Sequence, residues 1–215
     1  MKDPLDYYDI SPEISEEIAV WPGDTSFQRI PIVDFAKGGG YLLSTLHSTV
    51  HLGAHTDAPN HYHPQGQGIS ARSLNYYIGP CQVISLNKPR GSRITPLDIE
   101  GIPIQANRIL FKTNSFPNPN GWVSDFSALS VPLIEYLSTK KVILVGIDTP
   151  SIDLFDDSAL KAHHAVYRAD MAILEGIVLT DVPDGLYILV ALPLRIKDAD
   201  ASPVRAILLR EGFQK

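Results

Sequence analysis

The chain has 215 residues, of which 44% are apolar and 20% charged, and its net charge is -6. This composition is ordinary for a globular protein, and we expect residues 1–215 to form one domain. The acidic balance and the scattered Lys and Arg residues argue against binding to nucleic acid or to an anionic membrane surface. Cys81 is the single cysteine, and the sequence has no signal segment or membrane-spanning run, so a cytoplasmic location is predicted.

The predicted elements are mainly short strands separated by Pro and Gly. Runs rich in Val, Ile and Leu predict the strands, since such residues fill sheet interiors. In chain order the predicted strands are 17–20, 27–33, 41–52, 82–86, 108–112, 142–147, 186–192 and 204–210.

Helices are fewer. Thr95 and Asp98 resemble a capping box, but Gly101 keeps that segment short. Ser130 as N-cap and Pro132 in the first turn predict a helix over 130–140, and a third helix is predicted over 158–170. The mixture predicts a β-rich α/β fold with few helices.

The most polar part of the chain is histidine-rich. Five of the seven histidines lie within 47–63, and the other two are His163 and His164. A spacing of four would align His47, His51 and His55 on a helix. Gly53 and Pro59 disfavour a helix, so we predict a strand to about residue 52 that bends at the glycine into a loop.

A segment that carries His51, His55 and Asp57 can direct three ligands at one point, which suits Zn, Mn, Fe or Co. His61 follows closely and is either another ligand or an acid/base group. Glu175 lies in an apolar run, and a buried carboxylate needs a partner such as a cation.

Adding the second segment gives five ligands, which could serve two metals with the carboxylates as bridges. The set is His51, His55, Asp57, His163 and Glu175. His47 is either a neighbour of the site or an ordinary sheet histidine, and His63 and His164 have no assigned role.

The stretch from His51 to His61, together with segments over most of the chain, resembles the signature of the cyclase-like metal-dependent hydrolases, in particular their kynurenine formamidase (arylformamidase) members. These segments include 20–24, 108–113, 146–153, 162–164, 173–176, 192–194 and 202–206. The resemblance implies a swivelling β/β/α-type fold, a homodimer and two divalent metal ions per subunit, zinc or manganese. It also implies hydrolysis of N-formyl-L-kynurenine to L-kynurenine and formate.

By matching position, the resemblance implies that His51, His55 and Asp57 bind one metal. The second would be bound by Asp57, His163 and Glu175, with both carboxylates shared. His61 would be the acid/base and Trp21 a substrate contact, so the expected partner is a small aromatic amide. Leu52 and Lys161 depart from the family pattern, and they leave the substrate more open than the chemistry.

Three other functions compete with this interpretation. A related hydrolase would open isatin or another cyclic amide or lactone. A mononuclear non-haem iron oxygenase would use His55, Asp57 and His163, but would leave His51 and Glu175 unused. A catalytically silent metal-binding protein would lack a ligand or the acid/base, whereas all are present here.

Overall fold

The computed structural model describes residues 6–210, and a seven-stranded mixed sheet forms its centre. The sheet has a parallel half of four strands, and the remaining neighbours pair antiparallel. Across the sheet the strands are β1 (Tyr7–Asp9), β13 (Ile207–Arg210), β11 (Gly185–Val190), β5 (Ile78–Ser85), β7 (Arg108–Lys112), β9 (Leu144–Ile147) and β10 (Ala172–Leu174).

Three two-stranded sheets accompany the large one. They pair β2 (Gln28–Val33) with β3 (Leu43–His47), β4 (His55–Asp57) with β12 (Ala201–Pro203), and β6 (Arg93–Ile94) with β8 (Ala128–Leu129). The β4–β12 pair matters most for function, because it brings the segment around residue 200 beside Asp57.

The α-helices are α1 (Pro59–Tyr62), α2 (Val131–Thr139) and α3 (Lys161–Arg168). Two apolar clusters form the core. One is built from α2, α3 and strand residues such as Phe111 and Ile173, and the other contains Tyr77, Cys81 and Leu189. Burying each large apolar side chain stabilises the fold by about 1.5–3 kcal/mol.

Several predictions from the sequence are confirmed. The fold is β-rich with few helices, and the strand over 108–112 has the predicted bounds. Ser130 caps α2 by accepting a hydrogen bond from the Leu133 N–H, and Thr95 with Asp98 forms a capping box on a short 3-10 helix. Cys81 is fully buried. Within residues 6–210, no helix is long and apolar enough to cross a membrane.

Two strand predictions are wrong. Residues 17–20 form a turn instead of a strand, and the Ile18 N–H donates to the Ser15 carbonyl oxygen. The strand predicted over 41–52 ends at His47, because the chain then follows a local bend in which the His51 N–H donates to Thr49 Oγ1 at 3.2 Å. The short strands β1, β4, β10 and β12 were not predicted, since three residues carry too little periodicity.

Candidate metal centre

Two glycines allow the two site-bearing segments to touch. Gly53 and Gly176 both have left-handed backbone angles, with φ of 56° and 64°. A Cβ on Gly176 would lie 2.1 Å from the Gly53 carbonyl oxygen, so only glycine fits there. This approach lets His55 and Glu175 exchange backbone hydrogen bonds of 3.0 and 2.9 Å. The sequence prediction of a special role for Gly53 is therefore confirmed.

The carboxylates of Asp57 and Glu175 lie between imidazoles from three segments. His55 Nε2 is 3.5 Å from Asp57 Oδ1 and 3.3 Å from Glu175 Oε2. His163 Nε2 is 3.3 Å from Asp57 Oδ2 and 3.6 Å from Glu175 Oε1. His51 Nδ1 adds a contact of 3.0 Å to Asp57 Oδ1. Each carboxylate thus turns one oxygen toward His55 and the other toward His163.

Each of these three histidines has its other ring nitrogen fixed by an oxygen acceptor. His55 Nδ1 donates to the Gly53 carbonyl oxygen at 2.9 Å, and His163 Nδ1 donates to Asp153 Oδ2 at 2.8 Å. His51 Nε2 donates to Asp200 Oδ2 at 2.9 Å. Such partners set the imidazole tautomer and leave the inner nitrogen unprotonated in the neutral ring, which is the form that binds metals.

The inner atoms fit divalent metal ions. Both oxygens of Asp57 are buried and, among the described residues, neither has a partner in hydrogen-bonding geometry, although imidazole nitrogens are close. Two ligands on one tetrahedral zinc, with bonds of about 2.0–2.1 Å, lie about 3.3–3.4 Å apart. The observed spacings of 3.3–3.6 Å between His55, His163 and the carboxylates match that separation. The donor set therefore fits metal ions.

The charges around the site hold protons when no metal is bound. Burial alone would lower the pKa of His51 and of His163, but neighbouring carboxylates raise these pKa values to about 9 and about 10. Burial opposes ionisation of Asp57, yet His163 and His51 hold its pKa well below the usual range. Metal binding must displace protons from the two histidines.

His61 lies at the open side of the cluster. It sits on α1, whose first residue is Pro59, and its side chain is 32% exposed. Its ring centroid is 4.3 Å from that of His51, and Nδ1 is 3.8 Å from Asp200 Oδ2. Burial lowers the pKa of His61, so the neutral form that can accept a proton dominates at neutral pH. Ligand atoms of His51, Asp57 and His61 also come within 4.8 Å of one another.

A cavity of about 550 Å³ opens in front of these groups. Its far wall is aromatic and includes Trp21, Phe116 and Trp122. The Trp21 ring lies 5.2 Å from the ring of Trp122 in an edge-on arrangement. A cavity with one apolar, aromatic wall and one polar wall suits a small aryl substrate.

Comparison with known proteins agrees with this geometry. The family model described as "Putative cyclase" matches residues 8–154. The chain belongs to the cyclase family. The prediction of membership in the cyclase-like metal-dependent hydrolases is confirmed.

Named relatives of this cyclase-family chain are similar over almost its whole length. A kynurenine formamidase of Maricaulis maris is 40% identical over 202 residues, covering 94% of this chain and 96% of the relative. A kynurenine formamidase of Bordetella petrii is 40% identical over 209 residues, covering 95% and 98%. A solved structure titled as a potential metal-dependent hydrolase with cyclase activity has a TM-score of 0.84 at 30% identity, covering 97% of this chain and 100% of its own. The polar cluster and this neighbour together indicate that the cyclase-family chain binds metal.

The remaining histidines lie at the edge of the site or away from it. His47 is exposed at the end of β3, and His63 stacks on Tyr167 with ring centroids 3.9 Å apart. His164 follows His163 on α3 and is half-buried. Leu52, which departs from the family pattern, is buried, and Lys161 is exposed at the start of α3.

Sequence reasoning missed three residues that the fold brings to this site. Asp153 and Asp200 hold His163 and His51, and Trp122 joins Trp21 in the aromatic wall. Asp153 also accepts backbone hydrogen bonds from Ala162 and His163 at the start of α3. The position of Asp153 ten residues before His163 was the only local signal, since the other contacts span 101 residues or more between Trp21 and Trp122 and between His51 and Asp200.

Proposed function

We propose that this chain hydrolyses N-formyl-L-kynurenine to L-kynurenine and formate as a metal-dependent arylformamidase. The observation that carries the proposal is the position of the two buried carboxylates, each with one oxygen toward His55 and one toward His163. The kynurenine formamidase relatives, 40% identical over almost the full length, support the substrate. The aromatic wall offers a surface for its aryl ring.

In this proposal His51, His55 and Asp57 hold one divalent ion, and Asp57, His163 and Glu175 hold the second. Zinc suits this set of imidazoles and carboxylates, and manganese is the alternative. Divalent ions at such a site supply Lewis-acid polarisation of a carbonyl group and acidify a water molecule. The fixed tautomers of the three histidines support this assignment, because each inner nitrogen faces Asp57.

His61 is the acid/base group of the proposal. As a neutral imidazole it accepts a proton from the water whose oxygen adds to the formyl carbon. It then returns a proton to the aryl nitrogen as the carbon–nitrogen bond breaks, which releases formate and the free amine. Its partly exposed place beside His51, on the cavity side, supports this role. Trp21 contacts the aryl ring from the opposite wall.

A substrate panel on zinc-loaded protein tests the proposal. We expect N-formyl-L-kynurenine to be hydrolysed with the highest kcat/KM, followed by simple aryl formamides, with isatin the poorest. Faster opening of isatin would replace the proposed substrate with a cyclic amide but keep the chemistry. Oxygen consumption in the same assays would instead favour an iron oxygenase that uses His55, Asp57 and His163.

We also propose that the protein is a cytoplasmic homodimer. The β2–β3 hairpin supports the dimer, because it exposes large apolar side chains that monomers rarely display together. These include Ile32 at 59% exposure, Phe35 at 60% and Leu46 at 66%. Sedimentation at micromolar concentration should give twice the mass of the chain, and an Ile32→Asp, Leu46→Asp variant should sediment as a monomer. A monomeric wild-type protein would contradict the dimer.

A further inference from the structure

Asp200 is anchored beside the metal centre by its backbone. Its carbonyl oxygen accepts a hydrogen bond from the Ala58 N–H at 2.8 Å, one residue after Asp57. The next residue, Ala201, begins β12 and pairs with Asp57 in register. The side chain is 50% exposed. The backbone therefore fixes this carboxylate at the site without depending on the side chain for folding.

One oxygen of Asp200 faces two imidazoles. Asp200 Oδ2 accepts a hydrogen bond from His51 Nε2 at 2.9 Å and lies 3.8 Å from Nδ1 of His61. The two imidazole rings are themselves close, with centroids 4.3 Å apart. A single carboxylate oxygen thus links a proposed metal ligand with the proposed acid/base group.

His51 depends on this contact more than its counterparts depend on theirs. The ring nitrogen of His55 that faces away from the carboxylates is held by a backbone carbonyl, and that of His163 by Asp153, whose side chain is only 1% exposed. Within residues 6–210, the hydrogen bond from His51 Nε2 goes to Asp200 alone. Removing that carboxylate would free the His51 ring to rotate or change tautomer.

We propose that Asp200 is a positioning residue that acts on His51 and His61 together. It keeps the proton of His51 on Nε2, so that Nδ1 stays available beside Asp57, and it holds the Nδ1 side of His61. This inference rests on the proposed function for the roles of the two histidines. The first part, however, concerns metal binding and needs no substrate.

Cobalt binding to chelator-treated full-length protein tests the first part. We expect Asp200→Ala to weaken Co²⁺ binding by about 10–100-fold, as loss of a ligand-orienting partner does. Asp200→Asn should stay close to wild type, because its amide oxygen still accepts the His51 hydrogen bond. Asp181→Ala, which changes an exposed aspartate in a turn, is the matched control and should bind like wild type.

The outcomes separate this inference from the proposed function. Wild-type affinity in Asp200→Ala would overturn the positioning of His51 while leaving the metal centre intact. Equal loss in Asp200→Asn and Asp200→Ala would also overturn it, since a hydrogen-bond acceptor would then not be what matters. Failure of the wild-type protein to bind Co²⁺ would overturn both the inference and the metal-dependent function.

A double-mutant cycle tests the second part at saturating metal. We expect Asp200→Ala to lower kcat with little change in KM, because it disturbs His61 and not the aromatic wall. In a His61→Ala background the same change should have almost no further effect on kcat, since the group that it positions is already gone. Independent, multiplicative losses would overturn the link between Asp200 and His61.

Discussion

The two walls of the cavity are built in different ways. The polar wall stands on regular elements, since β4, β10, β12 and α3 each bring a site residue or lie next to one. The aromatic wall stands on irregular segments, because Trp21 and Trp122 both lie outside helices and strands. A rigid wall holds chemistry to close tolerances, whereas a loop-built wall can change shape between relatives. We therefore expect the polar wall to set the reaction and the aromatic wall to set the substrate.

The largest effect should come from breaking the polar wall at its shared carboxylate. Asp57→Asn removes a charge that faces both His55 and His163, so we expect loss of bound metal and a fall in activity of roughly 10³-fold or more, as loss of several kcal/mol of metal stabilisation implies. Metal analysis after dialysis and kcat measurement check this. Asp24→Asn is the control, since it makes the same chemical change elsewhere in the cavity. An Asp57→Asn protein with normal metal content would contradict the assignment.

A smaller loss should follow removal of His61, which belongs to the polar wall but is not a proposed ligand. We expect His61→Ala to reduce kcat by about 10²–10⁴-fold, the range typical of general acid–base groups. Its metal content should equal that of wild type. The control is His63→Ala, because His63 stacks on Tyr167 and has no assigned role. If His61→Ala lost metal instead, His61 would be a ligand.

The aromatic wall should respond in KM. Trp122→Ala removes the ring that packs edge-on against Trp21. Such contacts contribute about 0.5–1.5 kcal/mol, so we expect KM for N-formyl-L-kynurenine to rise by about 2–13-fold with metal content unchanged. Formamide itself, which has no aryl ring, serves as the control substrate and should show no change. A fall in kcat with constant KM would mean that the two walls do not divide the work as described.

The smallest effect is expected at Cys81, which lies in the core behind both walls. Burial raises the pKa of this thiol, and only the thiolate reacts quickly with thiol reagents. Raising the pH from 7 to 9 should therefore leave native protein almost unreactive, while denaturant-unfolded protein reacts faster as its thiol ionises. A colorimetric thiol assay measures both. Rapid labelling of native protein at pH 9 would show that the core opens.

The same contrast explains what the sequence could predict. His51, His55 and Asp57 lie within seven residues, so their chemistry can be read from local spacing, and the apolar neighbours of Glu175 indicated its burial. The partnership of His51 with Asp200 joins residues 149 positions apart, and only the β4–β12 pairing creates it. Long strands such as β7 were predictable from composition, whereas three-residue strands such as β4 depend on tertiary pairing.

The most direct test of the whole account is a zinc titration of chelator-treated protein during N-formyl-L-kynurenine hydrolysis. We predict that kynurenine release is lost on chelation and returns with added zinc. Restored turnover should saturate at two ions per chain, because Asp57 and Glu175 each face two sets of nitrogens. Full turnover in metal-free protein, confirmed by metal analysis, would contradict the central claim, and saturation at one ion would contradict the shared carboxylates.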